Sequence, residues 1–134
     1  MIEPNSELVI DYELVRNNIQ VIKTNLPTNC KILGVIKSNA YGHDLEKATQ
    51  ALDDAIDGYG VVRLQEALKI RENSSKPVLA MQGVYSSDAY DALKKNNIWS
   101  VITQHDVSTD EKERSFSFAC NEKSMVNLSK TSCK

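Results

Sequence analysis

The stretch of this 134-residue chain that could do chemistry is Val35-Ile-Lys37-Ser-Asn39-Ala-Tyr41-Gly-His43. A continuous apolar run, Lys31-Ile-Leu-Gly-Val-Ile-Lys37, ends in a lysine. In α/β folds, ligands sit outside the carboxyl ends of parallel strands, so a lysine there faces the expected site. Only a neutral amine attacks a carbonyl, and a partly apolar surround makes a lysine lose its proton more readily. Tyr41 lies four residues on, with a hydroxyl able to hold a phosphate oxygen or a polar substrate group. Gly42 lets the chain turn before the next helix. The competing reading is a Lys37 that merely solvates a strand end, since lysine is seldom buried.

The surrounding pattern must place that lysine. Lys31–Lys37 lacks polar alternation, which predicts a parallel strand buried on both faces. Ahead of it, Val15, Ile19, Ile22 and Leu26 recur at helical spacing, and Pro27 ends the helix. Residues 7–10, Glu-Leu-Val-Ile, read as a short strand. Behind the motif, Leu45, Ala48, Leu52 and Ala55 form a second helical stripe, with Asp44 as N-cap. Strands at 59–62, 77–81 and 98–102 then alternate with helices at 64–72 and from Ser86 or Ser87 onward. Four strand–helix alternations predict a parallel α/β sheet. After Asp106 the apolar period is lost, and no fifth strand is evident.

Composition narrows the function classes. The chain is 41% hydrophobic and 25% charged, which suits a globular domain and not a disordered chain or a rod. A net charge of −2 argues against a dedicated nucleic-acid binder. Three cysteines (Cys30, Cys120 and Cys133) without a CxxC pair predict neither a disulfide scaffold nor a structural zinc site. No signal-like start and no membrane-length apolar run are present, so the expected location is the cytoplasm. Cys30 and Trp99 read as core residues, and His43 as a loop hydrogen-bonding group rather than a catalytic one. His105 reads as surface or linker.

The full string Val-Ile-Lys-Ser-Asn-Ala-Tyr-Gly-His closely resembles the pyridoxal-phosphate attachment motif of bacterial alanine racemases. Gly58-Tyr-Gly-Val-Val-Arg-Leu-Gln-Glu-Ala-Leu-Lys-Ile-Arg71 is similar to that family's second strand and following helix, and Pro77–Gly83 to its third strand. Ile10–Asn18 is similar to its start. The resemblance covers roughly residues 7–106, with Asp44 standing where the family usually has glycine. It implies a TIM-type (β/α)8 barrel, of which about four β/α units are present here. It also implies racemisation of L-alanine to D-alanine for peptidoglycan, with pyridoxal 5'-phosphate as cofactor. Lys37 would hold that cofactor covalently and act as the base on one face of the substrate carbon. Tyr41 would bind its phosphate, and Met81 would lie near it.

The family works as a homodimer, and the opposite-face tyrosine comes from a second domain. No tyrosine of this sequence is expected to replace it: Tyr59, Tyr85 and Tyr90 fall at barrel positions, and Tyr12 near the start. The expectation is therefore a partial barrel domain at 1–106 and a divergent, frameshifted or disordered tail at 107–134, in a truncated chain. A broad-specificity amino-acid racemase and an inactive cofactor-binding remnant stand as alternatives.

Overall fold

The computed structural model describes residues 6–83, 86–102 and 117–119. Its elements run α1 (Tyr12–Thr24), β1 (Leu33–Val35), α2 (Lys37–Tyr41), α3 (Leu45–Leu52), β2 (Gly58–Val61), α4 (Leu64–Asn73), β3 (Val78–Ala80), α5 (Ser87–Lys95), β4 (Trp99–Ile102) and β5 (Ser117–Ala119). The strands form one sheet in the order β1-β2-β3-β4-β5, and every neighbouring pair is parallel. Sequential parallel strands joined through helices build a barrel wall. Within the described residues this wall does not close on itself. Among the described residues no helix is long and apolar enough to cross a membrane.

The core lies between the sheet and the helices. Tyr59 and Val61 of β2 pair in register with Val78 and Ala80 of β3, and all four are buried. Against them α4 buries Ala67 and Ile70, and α3 buries Ala48 and Leu52. Residues of parallel strands that pair in register share a face. Val35, Gly60, Leu79 and Trp99 therefore line the opposite face. Close approach favours glycine at two points. A Cβ on Gly58 would stand 3.0 Å from the backbone Pro77 O, and one on Gly34 2.7 Å from Ile56 Cδ1, which would have to shift.

That second face corrects the expectation of a first strand buried on both sides. Leu33 and Val35 remain 44% and 42% exposed, because no opposing wall covers them. For the same reason Trp99 is half-buried rather than core. Cys30 is also half-buried. Residues 7–10 form no strand; Leu8 and Val9 are exposed. Strand propensity is realised only where a neighbouring ladder satisfies the backbone.

Helix α1 forms where expected but ends at Thr24 with Asn25 as C-cap, short of Leu26; Asp11 caps its start, accepting from the N–H groups of Glu13 and Leu14. Val15 and Ile19 of its stripe pack on the core, while Ile22 is 51% exposed. Asp44 and Ser86 cap α3 and α5 as read from the sequence, accepting from Lys47 N–H at 3.2 Å and Ala89 N–H at 3.2 Å.

A fifth strand is present although no periodicity announced it. In β5, Ser117, Phe118 and Ala119 pair with Ser100, Val101 and Ile102 of β4. Three residues are too few to show a period, and the open edge of β4 supplies the ladder. The rest of 107–134, with Cys120 and Cys133, lies outside the described residues, as do Tyr85 and His105.

Candidate active site

The ladder of β1 continues one residue beyond the strand, where Ile36 N–H donates to Gly60 O at 3.0 Å. Ile36 then leaves the extended conformation at φ −125°, ψ 34°, and its buried side chain anchors the end of the strand. Lys37 follows at the carboxyl rim of the sheet. It is half-buried, and among the described residues its Nζ has no hydrogen-bond or ion-pair partner.

Next comes a left-handed turn. Ser38, Asn39, Ala40 and Tyr41 have φ of 54°, 55°, 55° and 54°, and Gly42 closes the turn at 87°. For L-residues this conformation costs about 1–2 kcal/mol each, least for asparagine. Four in succession persist only where the surroundings over-determine them, and such strain clusters at functional sites. Ala40 N–H donates to Ile36 O at 3.0 Å, and Gly42 N–H to Asn39 O at 3.1 Å. The Ala40 side chain is buried in the core. His43 N–H donates to Ala40 O at 3.0 Å, and its ring Nδ1 lies 2.9 Å from the same carbonyl. This is the loop hydrogen-bonding role read from the sequence.

Three side chains tie the turn to the fold. Tyr12 on α1 donates its hydroxyl to His43 O. Asn39 Oδ1 accepts Leu45 N–H at 2.9 Å, joining the turn to the start of α3. Glu66 on α4 accepts Asn39 N–H at 3.3 Å through Oε1 and Arg63 N–H at 3.3 Å through Oε2. None of the three was singled out for this role from sequence. For Glu66 the available signal was a glutamate at the third position of a helix, the half of a capping box that reaches back to the N-cap N–H.

Tyr41 stands on the turn, 59% exposed. Met81 follows β3 directly, and its N–H donates to Val61 O at 2.7 Å. It lies two residues past Leu79, which shares a face with Val35 through Gly60. The backbone register thus brings Met81 to the same carboxyl rim at which Lys37 follows β1, beyond the point where Ile36 leaves the extended conformation. Lys37, Tyr41 and Met81 are therefore gathered at one end of the sheet. A side-chain amine without a partner beside a parallel-sheet rim is placed to meet a carbonyl group, and an exposed phenol to meet a polar group.

The sequence model for the family "Alanine racemase, N-terminal domain" matches residues 10–113. Alanine racemase of Mannheimia succiniciproducens is 42% identical over 93 residues, covering 69% of this chain and 26% of that protein. The Haemophilus influenzae enzyme is 37% identical over 98 residues, covering 72% and 27%. The solved structure of alanine racemase from Acinetobacter baumannii aligns with a TM-score of 0.64 at 36% identity, over 72% of this chain and 27% of that one. The chain thus spans about a quarter of the length of the curated relatives it matches.

Proposed function

Because the chain belongs to the alanine racemase N-terminal domain family, we propose that it carries the cofactor-lysine segment of a pyridoxal-phosphate-dependent racemase that interconverts L- and D-alanine. D-alanine for peptidoglycan, a homodimeric assembly and a cytoplasmic location belong to the same proposal. The observation that carries it is Lys37, half-buried at the carboxyl rim of β1 with its Nζ unpartnered among the described residues.

When bound, the cofactor supplies an aldehyde for the amine and a ring that withdraws electrons from the substrate carbon. This chain's residues bind and position it. Lys37 Nζ would hold the cofactor covalently and, when freed from it, would take the Cα proton from one face. The left-handed turn fixes the direction in which Lys37 leaves the strand. The Tyr41 hydroxyl would donate a hydrogen bond to a phosphate oxygen, and Met81 lies at the same rim. Racemisation returns a proton from the opposite face. The described tyrosines other than Tyr41 are engaged elsewhere or remote: Tyr12 on His43 O, Tyr59 in the core, Tyr90 on α5. The resemblance assigns the opposite-face group to a tyrosine of a second domain.

The test is an absorbance spectrum of the chain with pyridoxal phosphate, before and after borohydride, beside Lys37→Ala. The expected result is an adduct reduced onto Lys37 and absent from the variant. Equal labelling of wild type and Lys37→Ala overturns the assignment. That no described tyrosine is assigned to the opposite face favours a second reading, a cofactor-binding segment that does not racemise by itself. Labelling of Lys37 without D-alanine formation selects that reading.

A further inference from the structure

The strained turn at Ser38–Tyr41 and the turn before α4 follow neighbouring strands, yet no covalent constraint holds them together. One carboxylate does. Glu66 Oε1 accepts the backbone N–H of Asn39, 27 residues away in sequence, while Oε2 accepts the N–H of Arg63 at the start of α4. Two donors from two segments converge on one group, each on its own oxygen of the carboxylate. A glutamine offers one oxygen and turns its donor amide toward the other N–H. Asn39 is the second residue after Lys37, and its own side chain already receives Leu45 N–H at 2.9 Å. Asn39 is therefore held by α3 through its side chain and by α4 through its backbone N–H.

We propose that Glu66 is a positioning residue for Lys37: its carboxylate clamps the left-handed turn to α4 and so sets the direction from which the lysine amine meets the cofactor aldehyde. Glu66 touches neither the cofactor nor the reacting atoms. It acts through the Asn39 peptide, and the effect is on capture of the aldehyde rather than on the identity of the nucleophile. Capping of α4 is the competing role for the same carboxylate, and it is separable. Arg63 has the extended conformation of an N-cap (φ −97°, ψ 146°), so an aspartate there can cap α4 from its own side chain.

The inference rests on Lys37 being the cofactor lysine, so two quantities are measured on the full chain. One is the pyridoxal phosphate concentration for half-maximal borohydride-trapped labelling of Lys37. The other is the exchange rate of the Asn39 amide by NMR. In Glu66→Ala the half-maximal concentration rises on the order of three- to tenfold, the worth of a hydrogen bond, and Asn39 exchanges faster. Glu66→Gln falls between. The double variant Arg63→Asp/Glu66→Ala regains the thermal midpoint but not the labelling. Wild-type labelling in Glu66→Ala overturns the proposal, and so does labelling restored by the double variant, which leaves capping as the whole role. If wild type itself is not labelled at Lys37, the cofactor reading fails separately. Asn39 exchange then decides the clamp: faster in Glu66→Ala supports it, unchanged overturns it.

Discussion

The two rims of the sheet are built differently. Where the strands begin, buried polar groups are paired, apart from Arg71 Nε, which has no hydrogen-bond partner among the described residues. Tyr59 is fully buried, and its Oη lies 3.0 Å from Thr49 O and 2.9 Å from Asp53 Oδ1. Ser74 Oγ donates to the same carboxylate oxygen and accepts Lys76 N–H at 3.1 Å. Burial, and then the Asp53 carboxylate, hold the Tyr59 hydroxyl far above the usual phenol range, so it stays protonated. Arg71 donates to Ser74 O, Lys76 O and Asn97 O, joining the end of α4 to the segments that lead into β3 and β4. Where the strands end, four residues are left-handed, Tyr41 is exposed and Lys37 Nζ has no partner among the described residues. One rim holds the fold and the other holds a geometry. That division is common in sheets whose ligands sit at the carboxyl ends of the strands.

The comparison can be broken from either side. Tyr59→Phe removes the one hydroxyl proton that Thr49 O and Asp53 Oδ1 both face, at a cost of about 1–3 kcal/mol in chemical denaturation. Labelling of Lys37 by pyridoxal phosphate at saturating concentration should not change. If labelling were lost while the variant remained folded, the rims would not be independent.

At the other rim the sign reverses. Ser38 is exposed at φ 54°, ψ 51°, where glycine pays no Cβ penalty. Ser38→Gly should raise stability by up to about 1 kcal/mol, since the relieved strain exceeds the entropy glycine adds to the unfolded chain. A lower denaturation midpoint would show that the turn is not strained.

The smallest effect concerns pH. Asp57 accepts Ile32 N–H at 2.8 Å and pairs with Lys31 at 3.2 Å, joining the segments that lead into β1 and β2. The hydrogen bond from Ile32, and then Lys31, hold its carboxyl below the usual range, against the opposing effect of burial. A depressed carboxylate contributes stability that is present above about pH 4 and is lost as pH falls through the folded value. The group is partly exposed, so the contribution is below about 1 kcal/mol. The stability gap between wild type and Asp57→Asn should narrow below pH 4; a gap constant down to pH 2 contradicts this origin.

Much of this arrangement was legible without coordinates. The Ala48/Leu52 stripe and the caps at Asp44 and Ser86 are local patterns found where the sequence placed them, and the apolar run before Lys37 holds a strand, shortened to Leu33–Val35. What was illegible is non-local or conformationally unusual. Ser-Asn-Ala-Tyr contains no glycine, so nothing in it announces four positive φ angles. Glu66 and Asn39 are separated by 27 residues, and no periodicity joins them. Residues 7–10 read as a strand because propensity is local, whereas a strand needs a partner. β5 was missed for the opposite reason: its partner supplies what its three residues do not signal.

By itself, the sequence determined the alternation of strands and helices from β1 to β4, the lysine at the end of the first strand and the family to which these motifs belong. Those follow from side-chain chemistry and short-range periodicity. Only the tertiary structure decided which face of β1 stays uncovered, how Lys37 leaves its strand and which distant carboxylate holds the turn in place. Such features depend on which segments meet in space, and packing selects among backbone conformations that each segment alone would rarely adopt.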